Sequence, residues 1–242
     1  MKAWLQFLST SLVFCSSNYS LASSVLDIPL VNPGAESGDL TGWVDASNRW
    51  HVGQAYAARE GLSYFATDQF VSPTFGSLRQ TVDVQAYTGQ ILDIEFSLSI
   101  AVDSGLAEST LAQGTDTWHF YAIPGLTLLS ASGGFLYGGG PSQVGGSEFI
   151  WRDRTLRLST LSSWPTIREN VASISVSLSV GWYNPSTRQF SSNPTGATVV
   201  DEPAYALFDD ISLSLTIPEP SSALILVISA LGMRRRMRSN ER

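Results

Sequence analysis

Hydrophobic and polar positions alternate along three stretches of this chain with a period of two. In "ILDIEFSLSIAV", Leu92, Ile94, Phe96, Leu98, Ile100 and Val102 share one side, and Asp93, Glu95, Ser97 and Ser99 share the other. In "SISVSLSVGW", Ile174, Val176, Leu178, Val180 and Trp182 alternate with serines and Gly181. In "LFDDISLSLTI", Leu207, Ile211, Leu213, Leu215 and Ile217 alternate with Asp210, Ser212, Ser214 and Thr216. Successive side chains of a strand point to opposite faces, so this pattern predicts half-buried strands. Their polar faces predict antiparallel sheets with one wet side. Weaker patterns predict strands over 63–71, 77–85, 116–123, 126–131 and 148–158, with Gly and Pro between them at "VSPTFGS", "YTGQ" and "AIPG". The stretch 132–146, "SGGFLYGGGPSQVGG", is predicted as a flexible loop. No helical periodicity and no internal repeat interrupt the body. About eight strands in this length predict an all-β antiparallel β-sandwich, most simply a jelly roll.

The two ends break this pattern. The start, MKAWLQFLSTSLVFCSSNYSLASS, has Lys2, an apolar run and small residues, which is the layout of a secretory signal peptide over 1–22 cut by signal peptidase after Ala22. An acylated Cys15 is the competing reading, and Phe14 stands where that site wants a small residue. Removal of the signal leaves a body without cysteine, so no disulfide can brace it. The end reads Pro218-Glu219-Pro220, then 11 residues from Ala223 to Met233 that are predicted as a short hydrophobic helix, then Arg234, Arg235 and Arg236. A membrane span ordinarily needs about 20 apolar residues. Including the flanking serines and letting the arginines snorkel makes a short span feasible, with its basic end in the cytoplasm.

Charge narrows the function. The formal net charge is −7, but five arginines lie in the tail and Lys2 in the signal. Between Ser24 and Ile217 stand 8 Arg, no Lys and 19 Asp plus Glu. Such a body has no basic surface for nucleic acid and suits divalent cations better. Signals for catalysis are sparse. His51 and His119 are the two histidines, and no zinc-type spacing or Gly-x-Ser-x-Gly occurs. Asp103, Glu108, Asp116 and Glu148 could supply a glycosidase pair, but no spacing singles them out. The glycine-rich stretch 132–146 lacks the lysine of a phosphate loop. Trp50, Trp118, Trp151, Trp164 and Trp182 are candidates for a sugar-stacking platform, and Trp43 is assigned to the core.

Two resemblances follow from these residues. The tail Pro218, Glu219, Pro220, apolar segment and Arg234 to Arg236 resembles the PEP-CTERM sorting signal of Gram-negative bacteria. That implies a transient transmembrane anchor in the inner membrane, cleavage by an exosortase, and release to the cell surface or extracellular matrix. Bacteria with this signal typically make exopolysaccharide, the polymer of biofilm matrices. The stretch "LVNPGAESGDLTGW" (30–43), paired with "FDDISL" (208–213), resembles the two ends of galactose-binding-like jelly rolls, including many carbohydrate-binding modules. Ala35 stands where that pattern has Phe. The resemblance implies a structural calcium held by Glu36 and Asp209, and Ca²⁺ does favour hard oxygen ligands. In the strand's phase Asp209 falls with Leu207 and Ile211, which predicts an inward carboxylate, and Asp210 falls outward. The chain therefore reads as three parts: a signal peptide (1–22), a sandwich (23–217) and a sorting signal (218–242). The expected function is that of a secreted, non-catalytic surface or matrix protein, structural or adhesive, with glycan contact. The alternative is a secreted polysaccharide hydrolase.

The sorting expectation has a direct check. Mass spectrometry of protein recovered outside the cells should find no peptide covering Arg234 to Arg242, and an intact C-terminus would refute cleavage.

Overall fold

The structure is a computed structural model, and it describes residues 23–45, 47–67, 76–103, 110–113, 116–145, 149–184, 186–191, 198–199 and 205–219. The signal peptide, the tail beyond residue 219, Glu108 and Glu148 lie outside them. Among the described residues no helix is long and apolar enough to cross a membrane. Residues Ser23–Pro218 make one compact unit.

The three alternating stretches become the three strands that organise the fold. Asp93–Asp103 and Tyr205–Pro218 pair at the centre of a six-stranded sheet. Arg152–Arg157 flanks the former, while Tyr64–Thr67, Trp50–Gly53 and Ser23–Asp27 continue from the latter. Ser173–Asn184 lies at the centre of a nine-stranded sheet, between Asp116–Leu129 and Ser77–Asp83. Short strands extend this second sheet: Val44–Asp45, Thr110–Gln113, Phe135–Gly139, Val144–Gly145, Gln189–Ser191 and Thr198–Val199. Every pairing is antiparallel. The two sheets pack face to face as a jelly-roll-type sandwich, as the alternation predicted.

The inner faces carry the apolar phase of each strand. Ile94, Phe96, Leu98 and Ile100 from the first sheet are buried with Ile174, Val176, Leu178 and Trp182 from the second. Trp43, Trp50, Trp118 and Trp164 join the same core, with Trp43 against Phe65 at 5.1 Å. Ala35, which replaces the expected Phe, is fully buried in it.

Three expectations need correction. The stretch 132–146 is not simply a loop, because Phe135–Gly139 and Val144–Gly145 pair with the strand Asp116–Leu129. Glycine-rich backbone is permissive, and here an unsatisfied strand edge recruits it. Second, 116–123 and 126–131 are one strand rather than two. Pro124 is tolerated because its carbonyl faces Gly140, in the gap between those two added strands. A residue's N–H shares the direction of its C=O, so the missing N–H removes no ladder bond.

The third correction bears on the site. The register of Tyr205–Pro218 shifts between Asp209 and Ser212, and Asp210 has φ 49°. This bulge adds a residue and resets the alternation. Ala206 and Phe208 face the core before it, and Ile211, Leu213 and Leu215 face the core after it. Leu207 faces the other way, into a separate small cluster with Tyr64, Ala66 and Ala101. Asp209 shares that outer phase, so its carboxylate is not inside the sandwich.

Candidate functional sites

Asp209 is nonetheless fully buried. The reason is a cover. Residues 54–63, between the strands Trp50–Gly53 and Tyr64–Thr67, fold back over the outer face of the first sheet as a strap. Asp209 Oδ2 accepts the backbone N–H groups of Arg59 at 2.8 Å and Glu60 at 3.0 Å, and Oδ1 accepts that of Asp210 at 2.7 Å. Glu36 Oε1 accepts the N–H groups of Leu62 at 3.0 Å and Ser63 at 2.9 Å. Gly61 has φ 69°, and a Cβ there would lie 2.4 Å from Glu36 Oε1, so glycine is required on both counts. Trp151 Nε1 donates to Ala57 O at 2.9 Å, and Arg59 pairs with Asp153 at 3.1 Å, which ties the strap to the far side of the sheet.

The motif that carries Glu36 is a locked turn. Asn32 and Ala35 both have positive φ. Asn32 Oδ1 accepts the N–H of Ser37 at 3.0 Å, and its amide donates to Asp39 O at 2.8 Å. Trp43 Nε1 donates to Val31 O at 3.0 Å, and Gln80 bridges Val31 and Gly42. These bonds fix the start of the chain against the second sheet and aim Glu36 at the strap.

Glu36 and Asp209, singled out from opposite ends of the sequence, line one cavity of about 330 Å³ together with Gly34, Glu60, Gly61 and Asp210. A Cβ on Gly34 would lie 3.3 Å from Asp209 Oδ1, so that oxygen looks onto bare backbone. Four carboxylates suit a calcium ion in donor type. Against this, several of their oxygens already take backbone N–H bonds, and no three ligating side chains converge tightly among the described residues. Burial pushes the Asp209 carboxyl above the usual carboxylate range, against the three N–H bonds that favour its charge. Asp153 is held below that range by the Ser99 hydroxyl and by Arg59. The signs oppose: Asp153 loses its stabilising effect as pH falls through its folded pKa, whereas Asp209 favours the fold more on protonation.

The histidines fall on opposite sides of the sandwich. His51 lies on the outer face of the first sheet, and His119, between the core residues Trp118 and Phe120, on the outer face of the second. They cannot act on one substrate together. Asp103 and Asp116 lie in the strands Asp93–Asp103 and Asp116–Leu129. Of the five candidate platform tryptophans, Trp50, Trp118, Trp164 and Trp182 are core, and Trp151 alone reaches the surface region.

The surface aromatics are instead mostly Tyr and Phe. On the second sheet, Tyr121 and Tyr183 meet edge to face at 5.7 Å. Tyr121 lies across Gly145, where a Cβ would come within 2.7 Å of its ring. Phe135, 70% exposed, leans on Gly138 in the same way. Between them the outward positions are Ser175, Ser177, Ser179 and Gly181 on one strand and Ile123, Gly125 and Thr127 on its neighbour, with the Ile123 side chain leaning over Gly181. The result is a trough with aromatic rings at its ends and a floor of small residues and hydroxyls, interrupted by the apolar Ile123 beside the Tyr121 end. The sequence did carry a signal for it: Tyr121 and Tyr183 occupy the wet phase of strands whose apolar phase is complete without them.

No family model and no curated protein matches this chain. Solved structures do resemble it. TmCBM61 in complex with beta-1,4-galactotriose is 14% identical, with 76% of this chain and 95% of that chain covered and a TM-score of 0.43. The CBM22-1 xylan-binding domain of Paenibacillus barcinonensis Xyn10C is 13% identical, with 81% and 93% covered and a TM-score of 0.45. TmCBM27, described for specific mannan recognition, is 9% identical, with 79% and 98% covered and a TM-score of 0.37. Likeness of this size carries nothing about ligand, and the architecture stands on the two sheets themselves.

The strap geometry generates a local prediction. Removing the Asp209 carboxylate leaves three part-buried N–H groups, those of Arg59, Glu60 and Asp210, without their acceptor, at about 1–3 kcal/mol each where water cannot replace it. In hydrogen exchange, Asp209→Ala should deprotect the amides of Arg59 and Glu60, and Glu36→Ala those of Leu62 and Ser63. Unchanged protection in both variants would show that the strap is held by other contacts.

Proposed function

We propose that this chain is an exported, non-catalytic surface or matrix protein of a Gram-negative bacterium, and that its sandwich holds exopolysaccharide along the trough of the second sheet. The observation that carries the binding reading is the trough itself. Aromatic rings laid over glycines offer faces for stacking on sugar rings, and the serine and threonine hydroxyls between them can exchange hydrogen bonds with sugar hydroxyls. At about 3.3 Å per residue, the distance from Tyr121 to Thr127 and Phe135 is on the order of 20–25 Å, room for several linked sugars. The rings are held by cross-strand pairing rather than by mobile loops, so little ordering cost falls on binding. The PEP-CTERM-like tail supports delivery by exosortase after a passing inner-membrane anchorage, and the sparse catalytic signals support a structural or adhesive role.

The same reading includes a structural Ca²⁺ at the cavity between the 30–43 turn and the strap. Glu36 and Asp209 would hold it through the lone pairs that the N–H bonds leave free, and it would supply positive charge between the turn at 30–43 and the last strand. No step of glycan binding passes through it.

Two measurements test these readings. Binding of the full chain to immobilised neutral polysaccharides should weaken at least about tenfold in Tyr121→Ala and in Tyr183→Ala, the loss of roughly one aromatic contact of 1.4 kcal/mol. Unaltered binding in both variants would remove the trough from consideration. Thermal melts with calcium and with chelator should differ by about 5–10 °C, since a ligand at a hundredfold excess over Kd adds about 2.7 kcal/mol. Superimposable curves would refute the calcium site.

A further inference from the structure

The outer face of the first sheet holds a second cavity that none of the foregoing uses. It has a volume of about 190 Å³ and lies where the strap leaves the edge of the sheet. Its floor is apolar and low, formed by the small Ala66 and by Leu207, both buried. Its walls are aromatic: Tyr56, Tyr64, Tyr205 and the imidazole of His51.

The Tyr56 and Tyr64 walls are fixed in place. The Tyr64 hydroxyl accepts the backbone N–H of Tyr56 at 3.0 Å, so the buried ring of one wall pins the backbone of the other. The Tyr56 ring stacks on Phe149 at 4.8 Å with an interplanar angle of 21°. Phe149 in turn meets Trp151 edge-on at 5.8 Å, and Trp151 also packs against Tyr64 at 6.1 Å. Across the ladder, Gly53 makes room for Tyr64, since a Cβ there would fall 2.2 Å from its ring. Gln54 closes the base of the strap by donating to the Ser63 hydroxyl at 3.1 Å.

We propose that this pocket binds one uncharged sugar residue at a chain end, so that one molecule joins two glycan strands. Three features select the ligand. Among the described residues no Asp, Glu, Lys or Arg lines the cavity, so none of them offers a charged group a counter-ion. Phenolic hydroxyls and an imidazole beside aromatic faces match a ligand with hydroxyls on its rim and C–H groups on its faces. The volume is below the roughly 300–1,000 Å³ of sites for drug-sized ligands, which fits one ring and not a run of them. The strap forms one wall and is fastened by Asp209 and Glu36, so a polymer enters end-on and does not pass through. The bridging part of the proposal rests on the trough reading above. Pocket and trough lie on the outer faces of two different sheets, whose planes are about 10 Å apart in a sandwich. Ligands in the two sites therefore leave in opposite directions, and one strand cannot occupy both.

The test uses the full chain and two probes. The first is a panel of methyl pyranosides (xyloside, galactoside, mannoside and glucoside) followed by NMR titration. At least one should bind with a Kd of about millimolar, the range open to so small a ligand. Ala55→Trp, which fills the cavity from its rim, and Tyr205→Ala should each weaken that binding at least about tenfold. Their melting temperatures and the hydrogen exchange of the Ile174–Trp182 amides establish that both variants are folded. The second probe is a soluble neutral polysaccharide that binds the wild-type chain, followed by light scattering. Wild-type protein should raise the scattering by cross-linking, and Ala55→Trp should not, although it is still retained on the same polysaccharide when immobilised. Failure of every methyl pyranoside to bind, or equal binding in wild type and both variants, overturns the pocket. Undiminished cross-linking by Ala55→Trp overturns the bridging. If Tyr121→Ala leaves polymer binding intact while Ala55→Trp abolishes methyl pyranoside binding, the trough falls and the pocket stands.

Discussion

Burying a carboxylate costs several kcal/mol unless donors meet it, and this fold places one, Asp209, under a ten-residue strap that supplies them. The strap and the carboxylate need each other. Residues 54–63 form no ladder of their own, so their N–H groups must find acceptors. Asp209 is shielded from bulk solvent, so it must find donors. Two strap amides meet that need, and two more go to Glu36. Everything on the outer face of the first sheet follows from this closure. It buries Leu207 and Tyr64 on a side of the sheet that would otherwise face water, and it fixes Tyr56 against Phe149.

The bulge at Asp209–Ser212 makes the closure possible. A regular strand would put Asp209 opposite to Phe208 and then continue in phase, with Ile211 on the same outer side. The extra residue returns Ile211 to the core while leaving Asp209 outside it. The strand thus serves two environments in turn: its first part carries a covered outer face, and its second part an open one, where Ser212 bonds Ser97 across the ladder. Bulges commonly re-aim a side chain beside a functional surface, and here the re-aimed group is an anchor.

The two outer faces of the sandwich are accordingly unlike. Among the described residues nothing roofs the centre of the second sheet, and its outer face carries hydroxyls and small residues with Ile123 among them, flanked by rings, a surface that offers contacts along a line. The first sheet is partly roofed by the strap and offers pockets beside it rather than a line of contacts. With no lysine in the body and an acidic balance, neither face attracts polyanions. A cysteine-free sandwich therefore depends for its stability on its continuous aromatic and aliphatic core and on the ties between the turn at 30–43, the strap and the last strand.

The period-two alternation was enough to specify the three organising strands, their antiparallel pairing and the composition of the core, because strand geometry converts sequence parity directly into facing. The end motifs likewise pointed to Glu36 and Asp209 as neighbours. Parity failed where the backbone inserted a residue: Asp209 could not be assigned its face without the bulge, since one residue of slip inverts every side chain before it relative to those after. The role of the tryptophans was also beyond local pattern. Trp50, Trp118, Trp164 and Trp182 pack into the core between the sheets, whereas Trp151 lies on the outer side of the first sheet, where residues 54–63 cover it only in part. Sequence by itself determined the sandwich and the acidic, cysteine-free chemistry of its surface. The tertiary structure alone decided which rings meet, because the trough joins positions some sixty residues apart (Tyr121 and Tyr183) and the roofed pocket joins positions about 150 apart (Tyr56 and Tyr205), separations over which no local propensity acts.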